Sequence, residues 1–171
     1  RAASDQDRPT RAEAPRPAER LGGRTGGGPA PLITYVDTST LLKRLVQEEG
    51  SAVADVVWEA ADVLASVSIV QVEARAALAA ARRNHRLTAA QLRTAKAGLL
   101  ELLEEVAVVD ITDRLVASAA ELAEAEALRG YDAVHLAGAL AIGADVLTSA
   151  DAALCDAALR RGMHVANPTA H

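Results

Sequence analysis

The 171 residues read as one α/β domain: a parallel sheet covered by helices on both faces. Three observations predict it. Short β-branched runs such as Ile33-Thr34-Tyr35-Val36 alternate with stretches of helical period. That alternation is the signature of β-α-β units. Half of the residues are hydrophobic, enough for a core, and the set is alanine-rich with no Phe, which suits close-packed helices over an aromatic sandwich.

Residues 1–31, rich in Arg, Pro, Gly and Ala, have no hydrophobic period and are expected to form a flexible extension before a domain at 32–171. Gly22–Gly28 is no phosphate loop, because no strand precedes it and the Lys-Ser/Thr of that motif is missing. The extension holds six Arg and four acids, leaving 12 basic and 19 acidic residues in the rest. An acidic body argues against a broad positive field for nucleic acid. It leaves metal-dependent phosphodiester chemistry open, since a bound cation inverts the local charge. A single cysteine, Cys155, excludes an internal disulfide and a cysteine-based zinc site, and its apolar neighbours suggest a packing position. No apolar run reaches the roughly 20 residues that span a bilayer, and no secretory signal is visible. A reducing, cytoplasmic setting with no membrane partner is expected.

In chain order, strand Ile33–Val36 delivers Asp37 to the turn into a helix at Leu41–Val46. Asp37 there is either an ordinary N-cap or a ligand at the strand's carboxyl end. Helix Ser51–Ala61 is expected to turn Val53, Val56, Val57 and Ala60 inward, and strand 62–67 follows. Ser68 and Gln71 have capping-box spacing, which places Glu73 early in the next helix; the helix dipole alone explains such a Glu. Thr88 and Gln91 form a second box opening a helix to about Glu105, then strand Val106–Val109. Helix Arg114–Leu128, ended by Arg129-Gly130, puts Leu115, Val116, Ala119, Leu122 and Ala123 on one face. In the helix Tyr131–Leu140, Asp132 and His135 are three apart and able to face one way. A core histidine making one hydrogen bond is the favoured reading of His135 over a metal ligand. Strand Val146–Ser149 leads to Asp151, helix Ala152–Arg161 and a short strand Met163–Ala166, with Asn167-Pro168 closing the fold.

Asp37, Glu73, Asp132 and Asp151 therefore all fall where a strand ends or a helix begins. Each has a capping explanation. Together they form a ring of negative charge that is costly unless a cation neutralises it. Oxygen-only ligands point to Mg²⁺, with Mn²⁺ as the alternative. Such ions bind phosphate oxygens and acidify water, so phosphodiester hydrolysis follows.

Val36-Asp37-Thr38-Ser39, Val72-Glu73-Ala74-Arg75, the segment Tyr131–Ala137 and Leu147–Asp151, in that order, resemble the four motifs of PIN-domain ribonucleases, nearest to VapC-type toxins of bacterial toxin–antitoxin pairs. The resemblance spans about Ile33 to Pro168. It implies a three-layer α/β/α sandwich around a central parallel sheet, with Asp37 and Asp132 as main Mg²⁺ ligands. Glu73 and Asp151 would complete the acidic site, and Ser39 and Ser149 would be supporting hydroxyls. It further implies an RNA substrate, an antitoxin partner whose segment would lie over the acidic pocket and block it, and a homodimer or toxin–antitoxin hetero-oligomer; the Ala/Leu/Val-rich first helices either offer that partner an apolar groove or simply build the core. Lys43, Arg44, Arg82 and Arg83 are candidate RNA-backbone contacts. Of the few aromatics, Tyr131 beside Asp132 is best placed to stack on a base.

Rival folds fit less well. A dehalogenase-like phosphatase needs an Asp two residues after the first, where Ser39 stands, and a receiver needs a late Lys, whereas none follows Lys96. A PIN-like module that binds RNA or protein without cutting is the remaining alternative.

Overall fold

A computed structural model describes residues 30–170. The expected extension over residues 1–31 thus lies, but for its last two residues, outside what is described. Five strands form one parallel sheet: β1 (Ile33–Val36), β2 (Val63–Val67), β3 (Val106–Val109), β4 (Val146–Thr148) and β5 (His164–Ala166), in the order β3-β2-β1-β4-β5. Every pairing is parallel, with Thr34 beside Leu64 on one side and Val146 on the other. β1 and β2 are buried throughout, as central strands covered on both faces must be.

Seven helices connect the strands among the described residues: α1 (Thr38–Leu45), α2 (Ser51–Ala60), α3 (Val70–Arg83), α4 (Ala89–Glu105), α5 (Asp113–Glu126), α6 (Gly130–Ala141) and α7 (Ala152–Arg160). The pleat divides the core between two layers. Tyr35, Val67 and Leu147 pack with Leu115, Leu122, Leu136 and Leu154 of α5, α6 and α7. Val36 and Leu64 pack with Leu41, Trp58, Val70 and Leu99 of the first four helices. This is the expected α/β/α sandwich. The strand order reverses direction at β1 and β4, so the crevice outside their carboxyl ends is where a ligand fits. No helix among the described residues is long and apolar enough to cross a membrane.

The Thr88–Gln91 capping box is present, with both reciprocal bonds made. The Ser68–Gln71 box is not. The Ser68 N–H donates to Val109 O at 3.1 Å, extending the sheet past β2, and α3 begins at Val70 with no side-chain cap. In α2 the inward face is Ser51, Ala54 and Trp58, while Val53 and Val56 are exposed. Trp58 fixes the phase, since burying its ring outweighs burying two valines. Helix α5 ends earlier than expected. Ala127 takes the left-handed turn (φ 53°), and the Leu128 N–H reaches back to Ala123 O as its side chain is buried. Gly130 instead opens α6, and Val116 faces solvent.

Gly138 of α6 lies where a Cβ would stand 2.5 Å from Val67 Cγ1 and 3.1 Å from the Tyr35 hydroxyl. Gly138→Ala gains up to about 1 kcal/mol of helix propensity. Overpacking against two fully buried residues costs about 1–3 kcal/mol, and the clash is expected to win. A chemical-denaturation midpoint lowered without a change in slope is the expected result.

Candidate active site

The site is built at the carboxyl edge of β1 and β4. Asp37 leaves β1 as the N-cap of α1, the first of the two roles the sequence left open. Its Oδ2 accepts from the Ser39 hydroxyl at 2.6 Å, the Ser149 hydroxyl at 2.8 Å and the Ser39 N–H at 3.3 Å. Three donors lock this nearly buried carboxylate in one rotamer, with Oδ1 turned to the remaining side. The serines are locked in turn: the Ala150 N–H donates to Ser39 Oγ and the Asp151 N–H to Ser149 Oγ. Next to them Thr40 and Thr148 hydroxyls pair at 3.1 Å, tying α1 to β4 inside the core.

Glu73, in the first turn of α3, comes from the far side of the crevice. Its Oε2 accepts from Thr38 Oγ1 at 2.6 Å and meets His135 Nε2 at 2.7 Å. Burial raises its pKa, but the His135 and Thr38 hydrogen bonds outweigh burial and hold it below the usual carboxylate range. His135 is buried beneath the acids with its other nitrogen, Nδ1, 3.0 Å from the Tyr35 hydroxyl. That hydroxyl accepts from the Val67 N–H. In the neutral Nε2–H tautomer the chain is complete: Val67 N–H to Tyr35, Tyr35 O–H to Nδ1, and Nε2–H to Glu73. The expected core histidine is therefore a core histidine that also reaches the site; its Nε2 is 3.6 Å from Asp37 Oδ1. Burial lowers its pKa, yet the Glu73 hydrogen bond and the Asp37, Glu73 and Asp132 charges raise it on balance.

Asp132, in the first turn of α6, and Asp151, the N-cap of α7, stand at the outer rim. Asp151 Oδ1 accepts from the Leu154 N–H at 3.0 Å. Arg129 joins the two, its Nε 2.7 Å from Asp132 Oδ2 and its Nη2 2.6 Å from Asp151 Oδ2. Desolvation raises the Asp132 pKa, and the Asp151 and Asp37 charges add to it against the pull of Arg129. Thr38, His135 and Arg129 were not placed in the site by the sequence. Their spacing from acids (one residue from Asp37, three on either side of Asp132) was the signal available.

The four acids and two serines thus meet at one edge, but the expected RNA contacts do not gather there. Lys43 is buried with its ammonium on Glu48 Oε1 at 3.0 Å and Glu49 O at 2.7 Å. Arg44 pairs with Asp55 and lies over the Trp58 ring. Both cations are spent on holding α1 and α2 together. Arg82 and Arg83 are in the last turn of α3, about 14 Å along the helix from Glu73. Tyr131 is 61 % exposed beside Asp132, whereas Tyr35 and Trp58 are buried and cannot stack on a ligand. Cys155 donates to Ser149 O from below, and burial together with the Asp151 and Asp37 charges pushes its thiol up to about 11, so it is no nucleophile.

Whether a divalent cation fits is decided by the donor set. Asp37 Oδ1, Glu73 Oε1 and Asp132 Oδ1 take no hydrogen bond among the described residues, and all are hard oxygen donors. Among the described residues, no three Asp, Glu, His or Cys side chains are placed to hold an ion, and Asp132 and Asp151 are both paired with Arg129. The donor chemistry fits a divalent cation.

The PIN-domain family model matches residues 34–159. The chain belongs to the PIN-domain family. Ribonucleases VapC45 and VapC49 of Mycobacterium tuberculosis are each 41 % identical to it over 134 residues, 78 % of this chain and 91 % of theirs. This places it with the VapC-type members. Among solved structures, PAE2754 from Pyrobaculum aerophilum has a TM-score of 0.61 at 22 % identity, covering 81 % of this chain and 87 % of that one. VapC20 of Mycobacterium tuberculosis, a Sarcin-Ricin loop cleaving toxin, has a TM-score of 0.54 at 21 % identity, covering 67 % and 86 %. FitAB bound to a DNA fragment gives 0.59 at 16 %, covering 81 % and 96 %. At those identities the structures speak for the fold alone, and they confirm the α/β/α sandwich.

Removing a hydroxyl that orients Asp37 is expected to lower divalent-ion affinity about 10- to 100-fold in Ser149→Ala and Ser39→Ala while the fold persists. Calorimetric titration with Mn²⁺ and far-UV circular dichroism check both halves. His135 carries a pH signature in the metal-free protein. Its native pKa is raised, so its extra stability is fully present below about 6.5 and is lost as pH rises through the native value. The stability difference between wild type and His135→Gln, from denaturant melts across pH, is expected to shrink in that direction.

Proposed function

We propose that this chain is a metal-dependent endoribonuclease, the toxin of a toxin–antitoxin pair, hydrolysing RNA phosphodiester bonds with Mg²⁺ and, as the alternative, Mn²⁺. One observation carries the reading. Four carboxylates from four separate elements gather at the sheet's switch point, with Asp37 fixed by two serines at a single oxygen. Capping alone does not require four acids along one edge of the sheet. The ribonuclease names of VapC45 and VapC49 supply the substrate class.

In this reading Asp37 and Asp132 would hold the cation, and Glu73 and Asp151 would complete the acidic ring. A divalent cation there supplies Lewis-acid stabilisation of phosphoryl charge and lowers the pKa of water. Ser39 and Ser149 keep Asp37 aimed. Thr38 and His135 keep Glu73 ionised and immobile, so neither carboxylate must reorganise when the phosphate arrives. Tyr131, exposed at the rim, is the aromatic able to stack on a nucleotide.

An antitoxin follows from the same assignment, VapBC2 of Rickettsia felis and FitAB being paired assemblies on DNA. A groove between α1 and α3 has Leu42, Val46, Ala77, Leu78 and Ala81 on its walls, with Ser39 and Ala150 and the charged Lys43, Glu48 and Arg86 also lining it. It suits an apolar helix whose end would reach the acids. Pairing of the toxin as a homodimer or within a hetero-oligomer, and a cytoplasmic setting, belong to the same proposal.

Purified protein with a mixed RNA pool tests the assignment. Cleavage is expected with Mg²⁺ or Mn²⁺, to disappear with chelator, and to fall at least about 100-fold in Asp37→Asn and Asp132→Asn that remain folded. No cleavage by wild type under either metal would instead establish a PIN module that binds without cutting.

A further inference from the structure

Arg129 is the feature the assignment above leaves without a task. It precedes α6 and reaches two acids from two different helices, Asp132 of α6 and Asp151 of α7. Its own side chain is 77 % exposed, so packing does not hold it there; charge does. The fork geometry of the guanidinium lets one residue bridge both carboxylates, which a point charge does less well. Among the described residues it is the one arginine or lysine paired with the four acids; the other ionisable partner is His135.

The geometry points to Arg129 as a place-holding cation: it occupies Asp132 and Asp151 until a divalent ion displaces it from Asp132, and so sets the affinity of the site for that ion. The inference rests on the metal-site part of the proposed function but not on RNA cleavage. Three observations converge on it. No three of the acids are placed to share an ion among the described residues, and two of them, Asp132 and Asp151, are held by Arg129. Exposed ion pairs are individually weak, so a doubly charged ion is able to displace one. And the largely buried Asp132 carboxylate lies beside the Asp37 and Asp151 charges, a repulsion that the Arg129 guanidinium relieves. Loss of the metal would therefore not leave the ring uncompensated: the guanidinium returns.

The rival role is orientation, in which Arg129 merely aims Asp132 at the ion. The two differ in sign. If Arg129 competes, its removal tightens metal binding; if it orients, its removal weakens binding. Mn²⁺ titration of the full chain by calorimetry, with no RNA present, decides it. Arg129→Gln is expected to bind Mn²⁺ roughly threefold to tenfold more tightly than wild type, and to gain more thermal stability from saturating Mn²⁺. Arg129→Lys keeps the charge without the fork and is expected between the two; it also serves if Arg129→Gln folds poorly. Asp132→Asn is the control that loses affinity. Unchanged or weaker binding in Arg129→Gln, or no Mn²⁺ binding in any variant, overturns the inference. Tighter binding together with an RNA pool left intact by wild type would uphold it and strike the nuclease assignment alone.

Discussion

Mutual repulsion among Asp37, Glu73, Asp132 and Asp151 is the constraint on which the rest of this molecule depends. Four carboxylates at one rim oppose folding unless each is offset where it stands. The fold meets this with geometry that a parallel sheet supplies at no added cost. Every crossover returns the chain so that helices begin at the strands' carboxyl edge, and each acid sits at or in the first turn of one of them. The positive ends of α1, α3, α6 and α7 thereby face the ring. Local donors then divide the acids into two classes. Asp37 and Glu73 are fixed by neutral or buried partners, two serines in one case and Thr38 with His135 in the other. Asp132 and Asp151 share an exposed cation. The inner pair is held by several buried or neutral donors, the outer pair by one exposed guanidinium.

Much of this was legible in the sequence, for identifiable reasons. The strands announce themselves because central parallel strands are apolar on both faces, as in Ile33–Val36. The acids announce themselves because they sit at punctuation points, where a short polar residue interrupts an apolar run. Asp37 caps α1 through one oxygen and leaves the other on the side of His135, so capping does not use up the carboxylate. The helix phase of α2 is hidden because three valines outnumber one tryptophan in a pattern count, while in the core the larger ring decides. Ser68 misleads because its hydrogen-bonding backbone belongs to a pairing with Val109 of β3, distant in the chain, which no local pattern reveals. His135 and Arg129 are underestimated for a related reason: their partners Tyr35, Glu73 and Asp151 lie elsewhere in the chain.

The cations follow the same logic in reverse. Lys43 and Arg44 look like a basic patch in the sequence, but two acids and a backbone carbonyl absorb them in the α1–α2 corner. The body stays acidic, and on the proposed function the charge that would attract RNA is left for a bound cation to provide.

The pairing of β1 with β4 has a consequence for how the protein is made. Ser149 orients Asp37 across 112 positions of sequence, and Asp151 lies further still along the chain. During synthesis on a ribosome, the first acid emerges long before the segment that aims it. An unfinished chain carries Asp37, Glu73 and even Asp132 without an assembled catalytic rim. For a protein whose activity would be directed at RNA, the order of strands itself delays the hazard until the segment carrying Ser149 and Asp151 has been made.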